Sequence, residues 1–367
     1  GRSVIVPQQN AAEASLAGAS VVAAASLLDV TEHLAGREPI PVSKAHRHGL
    51  ASSQTPNLAD VRGQQHAKRA LEIAAAGNHN LLLIGPPGTG KSMLARRLPG
   101  LLPALSREEA LETAAVNSIA GLRVVAEGWR RRPFRAPHHT ASAAALVGGG
   151  PAVSPGEISR AHNGVLFLDE LPEFNRNVLE SLREPMETGS ITIARAGTQA
   201  EFPARFQLIA AMNPCPCGYL GDSQSDCRCS SDRVVNYRNK ISGPLLDRVD
   251  LHVEVLRPPI EALRDPDPDG EDSVVVARRV AAAWQLQMSR SGVPNARAAG
   301  TDTAARAIDA ACWSLLERAT ERFNLSARAH LRIVRVARTV ADLAGAKKIA
   351  PPHVAEALSL RCLDRRF

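Results

Sequence analysis

The segment of residues 85–92 constrains the fold of this chain more than any other. It reads Gly-Pro-Pro-Gly-Thr-Gly-Lys-Ser and matches the G-x-x-x-x-G-K-[ST] pattern of a phosphate-binding loop. The apolar run Leu81–Ile84 precedes it, and a helical pattern through Leu94–Leu98 follows it. Such a loop turns its backbone N–H groups towards phosphate oxygens at the start of a helix. We expect the nucleotide-binding residues to be Gly85, Pro86, Pro87, Gly88, Thr89, Gly90, Lys91 and Ser92.

Two carboxylates follow a second apolar run, Val165–Leu168. Asp169 and Glu170 would lie at the carboxyl end of a buried strand, where open α/β sheets bind their ligands. Alone, an Asp-Glu pair is more often a solvated turn, but beside a complete phosphate loop it predicts a site for Mg²⁺ and water. Ser92 and Asp169 would hold Mg²⁺. Lys91 would reach the β- and γ-phosphates, and Glu170 would orient and deprotonate the attacking water.

Three further polar residues fit the same chemistry. Asn213 ends the run Gln207–Met212 and could touch the γ-phosphate or the water, although a turn before Pro214 explains it equally well. Arg248 and Arg328 are candidates for stabilising charge on the phosphoryl oxygens. Because the chain has 44 lysines and arginines, a solvated surface charge is the alternative for either arginine.

The pattern of apolar runs predicts an α/β fold. The runs Leu81–Ile84, Gly164–Leu168 and Gln207–Met212 are typical of strands inside a parallel sheet, and helical stretches separate them. After Pro258 the chain is rich in Ala and Arg with helical spacing. There we expect helices near residues 272–290, 303–322, 326–343 and 351–361. The sequence therefore predicts a parallel sheet between helices and a second, all-α domain.

These patterns divide the chain into four parts. Residues 1–36 read as strand, helix, strand, helix, with bounds at Ser3–Val6, Ala11–Leu16, Ser20–Ala24 and Leu27–Leu34. They are too few for an independent domain, so we expect the tail of a larger one. Residues 37–59 have the composition of a linker, residues 60–258 form the α/β core, and residues 259–367 form the helical domain.

The cysteines favour a metal site over disulfides. Cys215, Cys217, Cys227 and Cys229 make two C-x-C pairs. Four thiolates can hold Zn²⁺ in a closed tetrahedral site and staple a polar loop, although C-x₂-C is the usual spacing. Four free thiols or an adventitious disulfide are the alternatives. Crowded thiols and the lack of an eighteen-residue apolar run lead us to expect a reducing cytoplasm and no membrane partner.

Two groups of basic residues receive a structural interpretation. His138 and His139 are adjacent and have no third ligand nearby, so we expect loop residues. A second group shares one face of a helix at three- and four-residue spacing, and we expect that face to be solvated except at its first member. Its members are Arg328, Arg332, Arg335 and Arg338.

Several segments resemble one branch of the AAA+ ATPases, the magnesium-chelatase-like proteins of the ComM or YifB family. The resemblance runs from about Asp60 to Leu343. The segments that carry it are His79–Ile84 with the phosphate loop, Pro133–Thr140, Pro155–Ser159, Ala161–Phe174, Met212–Gly218 and Ser242–Asp250. It implies an AAA+ core with a helical lid, ATP and Mg²⁺ as cofactors, and ATP hydrolysis.

The resemblance also implies roles for individual residues. Lys91 with Ser92 matches the Walker A pair, and Asp169 with Glu170 matches the Walker B pair. Asn213 resembles sensor 1, and Arg328 resembles sensor 2. Arg248 resembles the finger that reaches the ATP of a neighbouring subunit, which implies a homo-oligomer, usually a hexameric ring in this family. Full-length relatives carry a Lon-protease-like domain in front, and residues 1–36 resemble its tail.

Two additions to the core are expected from the family. The interval Met93–Asn163 leaves room for an insertion formed by residues 130–150. Residues Ser190–Gly197 and Phe202–Phe206 read as a hairpin before Asn213, and in related ring helicases such a hairpin points into the central pore. Arg195 near its tip is the candidate contact to DNA phosphates, with a solvated turn residue as the alternative.

The resemblance favours a DNA motor, since ComM-like proteins are associated with branch migration during natural transformation. The partner would be single-stranded or branched DNA, and the activity that of a helicase or translocase. The net charge of +7 permits such a partner without identifying it. A protein-remodelling or magnesium-chelatase-type ATPase that acts on a partner protein is the alternative. A nucleotide-gated scaffold is the third possibility.

Overall fold

The computed structural model describes residues 3–43, 56–122, 128–150, 153–195, 198–258, 270–298 and 308–365. Within it the chain forms two compact units. The first comprises Gly1–Gln54 and Ala104–Arg131, and the second comprises Thr55–Pro103 and Arg132–Phe367. The boundaries at residues 36, 59 and 258 that the sequence suggests stay predictions.

The first unit contains a two-stranded parallel sheet of β1 (Ser3–Pro7) and β2 (Ser20–Ala24). Its helices are Ala11–Leu16, Leu27–Leu34 and Arg107–Ile119. Ser26 and Ser106 begin the last two helices, each in a reciprocal capping box with the carboxylate three residues later. The strand–helix–strand–helix order expected for residues 1–36 is confirmed.

The second unit is built on a five-stranded parallel sheet. The strands of the unit are β3 (Leu81–Ile84), β4 (Phe134–Arg135), β5 (Gly148–Gly149), β6 (Ser154–Pro155), β7 (Val165–Leu168), β8 (Ser190–Arg195), β9 (Thr198–Pro203), β10 (Gln207–Met212) and β11 (Leu251–Glu254). The sheet has the order β11-β3-β10-β7-β4, and all its pairings are parallel. Every residue of β3, β7 and β10 is buried, as central strands covered on both faces require. The α/β expectation is confirmed.

The helices of the second unit are short around the sheet and longer near the C-terminus. They are Gln65–Gly77, Lys91–Ala95, Ala143–Val147, Glu157–Arg160, Arg176–Glu180, Arg183–Thr188, Ser231–Arg238, Gly243–Leu246, Ser273–Ser291, Ala310–Phe323, Ala327–Leu343 and Pro351–Ser359. The last four agree with the predicted helices, except that residues 299–307, where one was expected to begin, lie outside the described part. None of the helices in the described part has the length and hydropathy of a membrane-spanning segment.

Alternate residues of each strand face two different apolar cores. Leu81 and Leu83 pack into the core shared with the helix Gln65–Gly77 and the C-terminal helices, whereas Leu82 and Ile84 face the opposite core. This alternation follows from the two-residue period of a strand. The C-terminal helices therefore complete the burial of one face of the sheet.

The helix after the phosphate loop is shorter than expected. It spans Lys91–Ala95, and a 3₁₀ turn at Leu98–Gly100 replaces its continuation. Pro99 explains the break, because a proline disfavours the helical conformation of the residue before it and supplies no backbone N–H.

Two pairs of strands that precede Asn213 in the chain, β5 with β6 and β8 with β9, form small antiparallel sheets. The expected hairpin is confirmed as β8 and β9, in which Arg195 lies opposite Thr198, although its second strand begins before Phe202. In the interval expected to be an insertion, β5 pairs with β6, but Phe134–Arg135 is the edge strand of the main sheet.

The arginine stripe on the helix Ala327–Leu343 is not the solvated face that its spacing suggests. Arg338 is only 3% exposed and donates hydrogen bonds to Asp342 and to the carbonyl oxygen of Ala346. Arg332 is paired with Asp250. The prediction was wrong because helical spacing cannot distinguish a solvated face from one whose cations are buried with carboxylates.

Candidate nucleotide site

The phosphate loop leaves β3 in the middle of the sheet, between the ends of β11 and β10. Gly88 and Gly90 have φ angles of +77° and +86°, which glycine adopts without strain. Gly85 lies so near the end of β11 that a Cβ atom would be 2.1 Å from the carbonyl oxygen of Val255. The side chain of Gln64 donates to the carbonyl oxygen of Thr89 over 2.5 Å. These contacts hold the loop in a curled conformation.

The side chain of Lys91 is folded into its own loop and is 8% exposed. Its Nζ donates to the carbonyl oxygens of Gly85 and Pro86, at 2.7 and 2.8 Å, and to Oδ1 of Asn213 at 3.1 Å. Burial lowers the pKa of Lys91 to about 8, although the charges of Asp169 and Glu170 oppose the shift. The loop thus holds a largely desolvated ammonium.

Ser92 and Asp169 meet at the carboxyl edge of the sheet. The Ser92 hydroxyl donates to Oδ2 of Asp169 over 2.5 Å, and Oδ1 of Asp169 accepts the backbone N–H of Glu170 at 3.0 Å. A hydroxyl and a carboxylate in contact are hard oxygen ligands of the kind that Mg²⁺ prefers. The two residues therefore fit the predicted Mg²⁺ position.

Glu170 has a neighbour that the sequence analysis did not assign to the site. Nδ1 of His139 lies 3.1 Å from Oε2 of Glu170, and the His139 ring packs edge-on against Phe174. His138 instead places its Nδ1 2.9 Å from the Thr140 hydroxyl. The sequence predicts loop residues here because the two adjacent histidines have no third ligand nearby in the chain. The signal lies in the sheet order: β4 pairs with β7, so the segments after both strands lie at the same edge.

Asn213 occupies the position between the phosphate loop and the carboxylates. It follows β10, which pairs with β3 on one side and with β7 on the other. The contact with Lys91 shows that its side chain faces the loop. The structure therefore brings together Lys91, Ser92, Asp169, Glu170 and Asn213.

Arg248 lies at the amino edge of the sheet, where the parallel strands begin, and the phosphate loop lies at the carboxyl edge. Its carbonyl oxygen accepts a hydrogen bond of 3.0 Å from the side chain of Asn80, which directly precedes β3. The phosphate loop follows β3, and a four-residue strand spans about 13 Å. The Arg248 side chain is 7% exposed, pairs with Glu187, and donates to the carbonyl oxygen of Pro244 at 2.6 Å. It does not join its own phosphate loop.

Arg328 is exposed in the first turn of the helix Ala327–Leu343, which Ser326 caps. One turn later, Nη1 of Arg332 lies 2.5 Å from Oδ1 of Asp250, the residue before β11. The start of this helix is therefore also at the amino edge of the sheet. A cavity of about 360 Å³ opens at that edge, with Glu187, Arg205 and Arg335 among its lining residues.

The four cysteines predicted as zinc ligands converge on one point. Their sulfur atoms all lie within 4.8 Å of one another, and the Cys215–Cys217 and Cys215–Cys227 sulfur pairs are 3.4 and 3.6 Å apart. Thiolates on one tetrahedral Zn²⁺, with Zn–S of about 2.3 Å, would be about 3.8 Å apart. The residues fit Zn²⁺.

The candidate DNA contact lies at the tip of the hairpin. Arg195 is the last residue of β8, as the sequence suggested. Its side chain lies outside the described part of the structure.

The sheet and the residues at its carboxyl edge define a class. A phosphate-loop pattern after one strand, two carboxylates after another and an asparagine after the strand between them are the arrangement typical of P-loop ATPases of the AAA+ class. A model of the family described as magnesium chelatase, subunit ChlI, matches residues 57–263, and a model of the ChlI C-terminal region matches residues 270–361. The chain belongs to this magnesium chelatase ChlI family of ATPases.

Three individual relatives support the family assignment. Competence protein ComM of Haemophilus influenzae is 48% identical over 99% of this chain and 72% of its own length. The uncharacterized protein YifB of Escherichia coli is 46% identical over 100% of this chain and 72% of its own length. The magnesium-chelatase 38 kDa subunit of Rhodobacter capsulatus is 26% identical over 80% of this chain and 83% of its own length. The resemblance noted from the motifs is confirmed.

Proposed function

We propose that this chain is the ATP-hydrolysing subunit of a homo-oligomeric ring that moves DNA. The observation that carries the proposal is the placement of Arg248 and Lys91 at opposite edges of one sheet. Because Arg248 lies far from the phosphate loop of its own chain, it can take part in phosphoryl transfer only at the ATP of another subunit. The ring size we propose is six, as is usual for the family.

ATP binding is the task of the phosphate loop. Its backbone N–H groups and the Lys91 ammonium hold the β- and γ-phosphates. Lys91 donates to carbonyl oxygens of its own loop, and phosphate oxygens of bound ATP would take the place of those acceptors. Burial of the ammonium strengthens its attraction to the phosphates.

Hydrolysis is the task of the groups that follow β7 and β10. Glu170 accepts the proton of the attacking water, and Asn213 positions that water or a γ-phosphate oxygen. Mg²⁺, when held by Ser92 and Asp169, supplies positive charge that offsets the charge developing on the phosphate oxygens. His139 fixes the direction of the Glu170 carboxylate.

The neighbouring subunit completes the site. Arg248 of that subunit neutralises the transferred phosphoryl group, as an arginine finger does. We assign Arg328 to the same composite site, because it is exposed at the amino edge and, among the described residues, no carboxylate holds it as Asp250 holds Arg332.

DNA is the proposed track for three reasons. The hairpin of β8 and β9 is followed in the chain by β10, which ends next to Asn213, so β10 connects a contact at the hairpin with the nucleotide site. The net charge of +7 favours a polyanion. The 48% identity with competence protein ComM supports the resemblance to ComM-like proteins, which are associated with branch migration. Arg195 is the proposed contact to the DNA backbone.

The test is ATP turnover with and without forked or Holliday-type DNA, together with strand displacement. We expect DNA to stimulate turnover, and Arg195→Ala to reduce the stimulation while leaving turnover without DNA unchanged. Arg195→Lys, which keeps the charge, is the matched control. Turnover that branched DNA leaves unchanged, with no strand displacement, would contradict the proposal.

A second candidate is a chelatase-type subunit that acts on a partner protein. Its support is the 26% identity with the magnesium-chelatase 38 kDa subunit over 80% of this chain. Formation of a magnesium porphyrin after the other chelatase subunits are added would favour it. The four-cysteine loop argues for the ComM-like function, because it resembles the one in those proteins.

Two parts of the chain receive structural roles in this proposal. The four cysteines hold Zn²⁺ in a closed site, which leaves no ligand position open for catalysis. Residues 1–36 form the tail of a Lon-protease-like domain, ahead of the linker 37–59, the AAA+ core 60–258 and the helical lid 259–367.

A further inference from the structure

The four-cysteine loop and the phosphate loop touch each other. A Cβ atom on Gly218 would lie 2.7 Å from Cδ and 3.2 Å from Cγ of Pro87, and 3.8 Å from Cγ of Asn213. Gly218 therefore lies against both the phosphate loop and the residue that binds Lys91. A real Cβ atom does not approach another heavy atom to 2.7 Å, so the contact is available only to glycine.

We propose that the four-cysteine loop, residues 214–229, is a positioning element for the phosphate loop. With Zn²⁺ on its thiolates it holds Pro87 and Asn213 in the geometry that binds ATP, and loss of the metal weakens ATP binding. The inference rests on the proposed function, in which residues 85–92 bind ATP and the four cysteines bind Zn²⁺.

The metal ligands determine where Gly218 lies. Gly218 directly follows Cys217, and its N–H donates to the carbonyl oxygen of Cys215 at 3.0 Å. Its φ angle is +87°, so the chain turns sharply there. Cys215 is fully buried and lies two residues after Asn213. Ligation of Cys215 and Cys217 by one ion therefore fixes both ends of the turn that touches Pro87.

A second set of contacts joins the four-cysteine loop to the other flank of the phosphate loop. Arg257 lies 3.2 Å from Oδ2 of Asp222 and 6.0 Å from the centre of the Tyr219 ring. The preceding residue, Leu256, accepts a hydrogen bond of 3.3 Å from Gln64, which also donates to Thr89. The four-cysteine loop therefore contacts the phosphate loop directly, through Gly218, and also contacts the segment at Leu256 and Arg257 on its other flank.

The second half of the loop has few apolar contacts to give it a fixed shape. From residue 219 to residue 229, all in the described part of the chain, no apolar side chain is buried, and the buried Asp222 carboxylate is held by Arg257. A segment without an apolar core depends on its metal for order, because the binding free energy of the ion stands in for burial. Removal of the ion should therefore release Gly218 from Pro87.

The test compares two glycines of the same loop. Gly218 and Gly221 have φ angles of +87° and +80°, so alanine strains the backbone similarly at both. Only Gly218 meets the phosphate loop, since a Cβ atom on Gly221 would find nothing within 4 Å. ATP affinity is measured with a fluorescent ATP analogue on the full chain at saturating Mg²⁺. Bound zinc is measured by its release to an indicator dye.

We expect Gly218→Ala to weaken ATP binding about tenfold or more while zinc stays bound, and Gly221→Ala to change neither quantity. The double variant Cys227→Ser/Cys229→Ser removes two zinc ligands and leaves Gly218 unchanged. It should bind neither zinc nor ATP as tightly as the wild type. A zinc-selective chelator should do the same to the wild type, and added Zn²⁺ should restore binding.

The inference is overturned if Gly218→Ala binds ATP as the wild type does, or if zinc-free protein keeps its ATP affinity. These failures differ from failure of the proposed function. A wild type that binds no ATP refutes the nucleotide site, and a wild type that never holds zinc refutes the metal site; either result also removes the inference.

Discussion

Nδ1 of His139 lies 3.1 Å from Oε2 of Glu170, so the loop after the edge strand β4 contacts the residue proposed to activate water. Glu170 itself has a φ angle of +53°, an uncommon conformation for a residue with a side chain. Backbone geometry and the imidazole contact together set the direction of its carboxylate. Neither feature can be seen in the motif Leu168-Asp169-Glu170.

Replacement of His139 should slow hydrolysis without weakening ATP binding. We expect His139→Ala to lower kcat roughly tenfold, which corresponds to about 1.4 kcal/mol and to the loss of one hydrogen bond to a charged group. His139→Asn, which can still donate a hydrogen bond, should recover part of the activity. His138→Ala is the matched control, since His138 contacts Thr140 instead. Equal effects of the two alanine variants on kcat would contradict this role.

Loss of the Glu170 carboxylate should separate binding from hydrolysis. Glu170→Gln keeps the shape of the side chain but cannot accept a proton from water, so turnover should fall about 100-fold or more while the Kd for ATP stays close to that of the wild type. Glu173→Gln is the control, because Glu173 lies three residues away and pairs with Lys240. A Glu170→Gln variant that hydrolyses ATP at the normal rate would exclude Glu170 as the base.

The strands and the phosphate loop could be predicted because each depends on local sequence. Runs such as Leu81–Ile84 and Leu208–Met212 are apolar throughout, which is typical of a strand buried on both faces. The role of His139 and the burial of Arg338 depend on which strands and helices become neighbours. That information lies in the sheet order and in contacts between helices, such as the hydrogen bond that Arg290 donates to Asp342, the partner of Arg338.

Replacement of two arginines one helical turn apart should affect different properties, the stability of the chain at Arg332 and ATP turnover at Arg328. Arg332→Ala removes the arginine partner of the Asp250 carboxylate, which is 1% exposed and also lies 3.7 Å from Nδ1 of His79, and should lower the free energy of unfolding by about 3 kcal/mol. Arg328→Ala should leave stability unchanged but reduce ATP turnover in the assembled ring. Urea denaturation and steady-state turnover of both variants make the comparison. Two variants that lose stability equally would remove Arg328 from the composite site.

His252 should make the protein less stable in mild acid. Its side chain is 2% exposed, and burial, helped by the charge of Arg361, lowers its pKa to about 3 although Asp364 opposes the shift. The unfolded chain binds a proton near pH 6.5, whereas the folded chain does so only near pH 3, so stability falls as the pH drops between these values. From pH 7 to pH 5 the loss due to His252 should be about 2 kcal/mol. Urea denaturation of the wild type and of His252→Gln measures it, and an equal loss in both would contradict the assignment.

The central claim is that each ATP site is shared by two subunits, and a mixing experiment tests it most directly. Lys91→Ala cannot hold ATP but still offers Arg248, whereas Arg248→Ala holds ATP but offers no finger. Each variant alone should assemble and be inactive. If the two are mixed in equal amounts before nucleotide is added, random placement around a ring joins a competent loop to a competent finger at about one interface in four. We therefore predict that the mixture regains about a quarter of wild-type ATP turnover. A mixture that stays as inactive as its components at every ratio, with mixed rings present, would contradict the shared site.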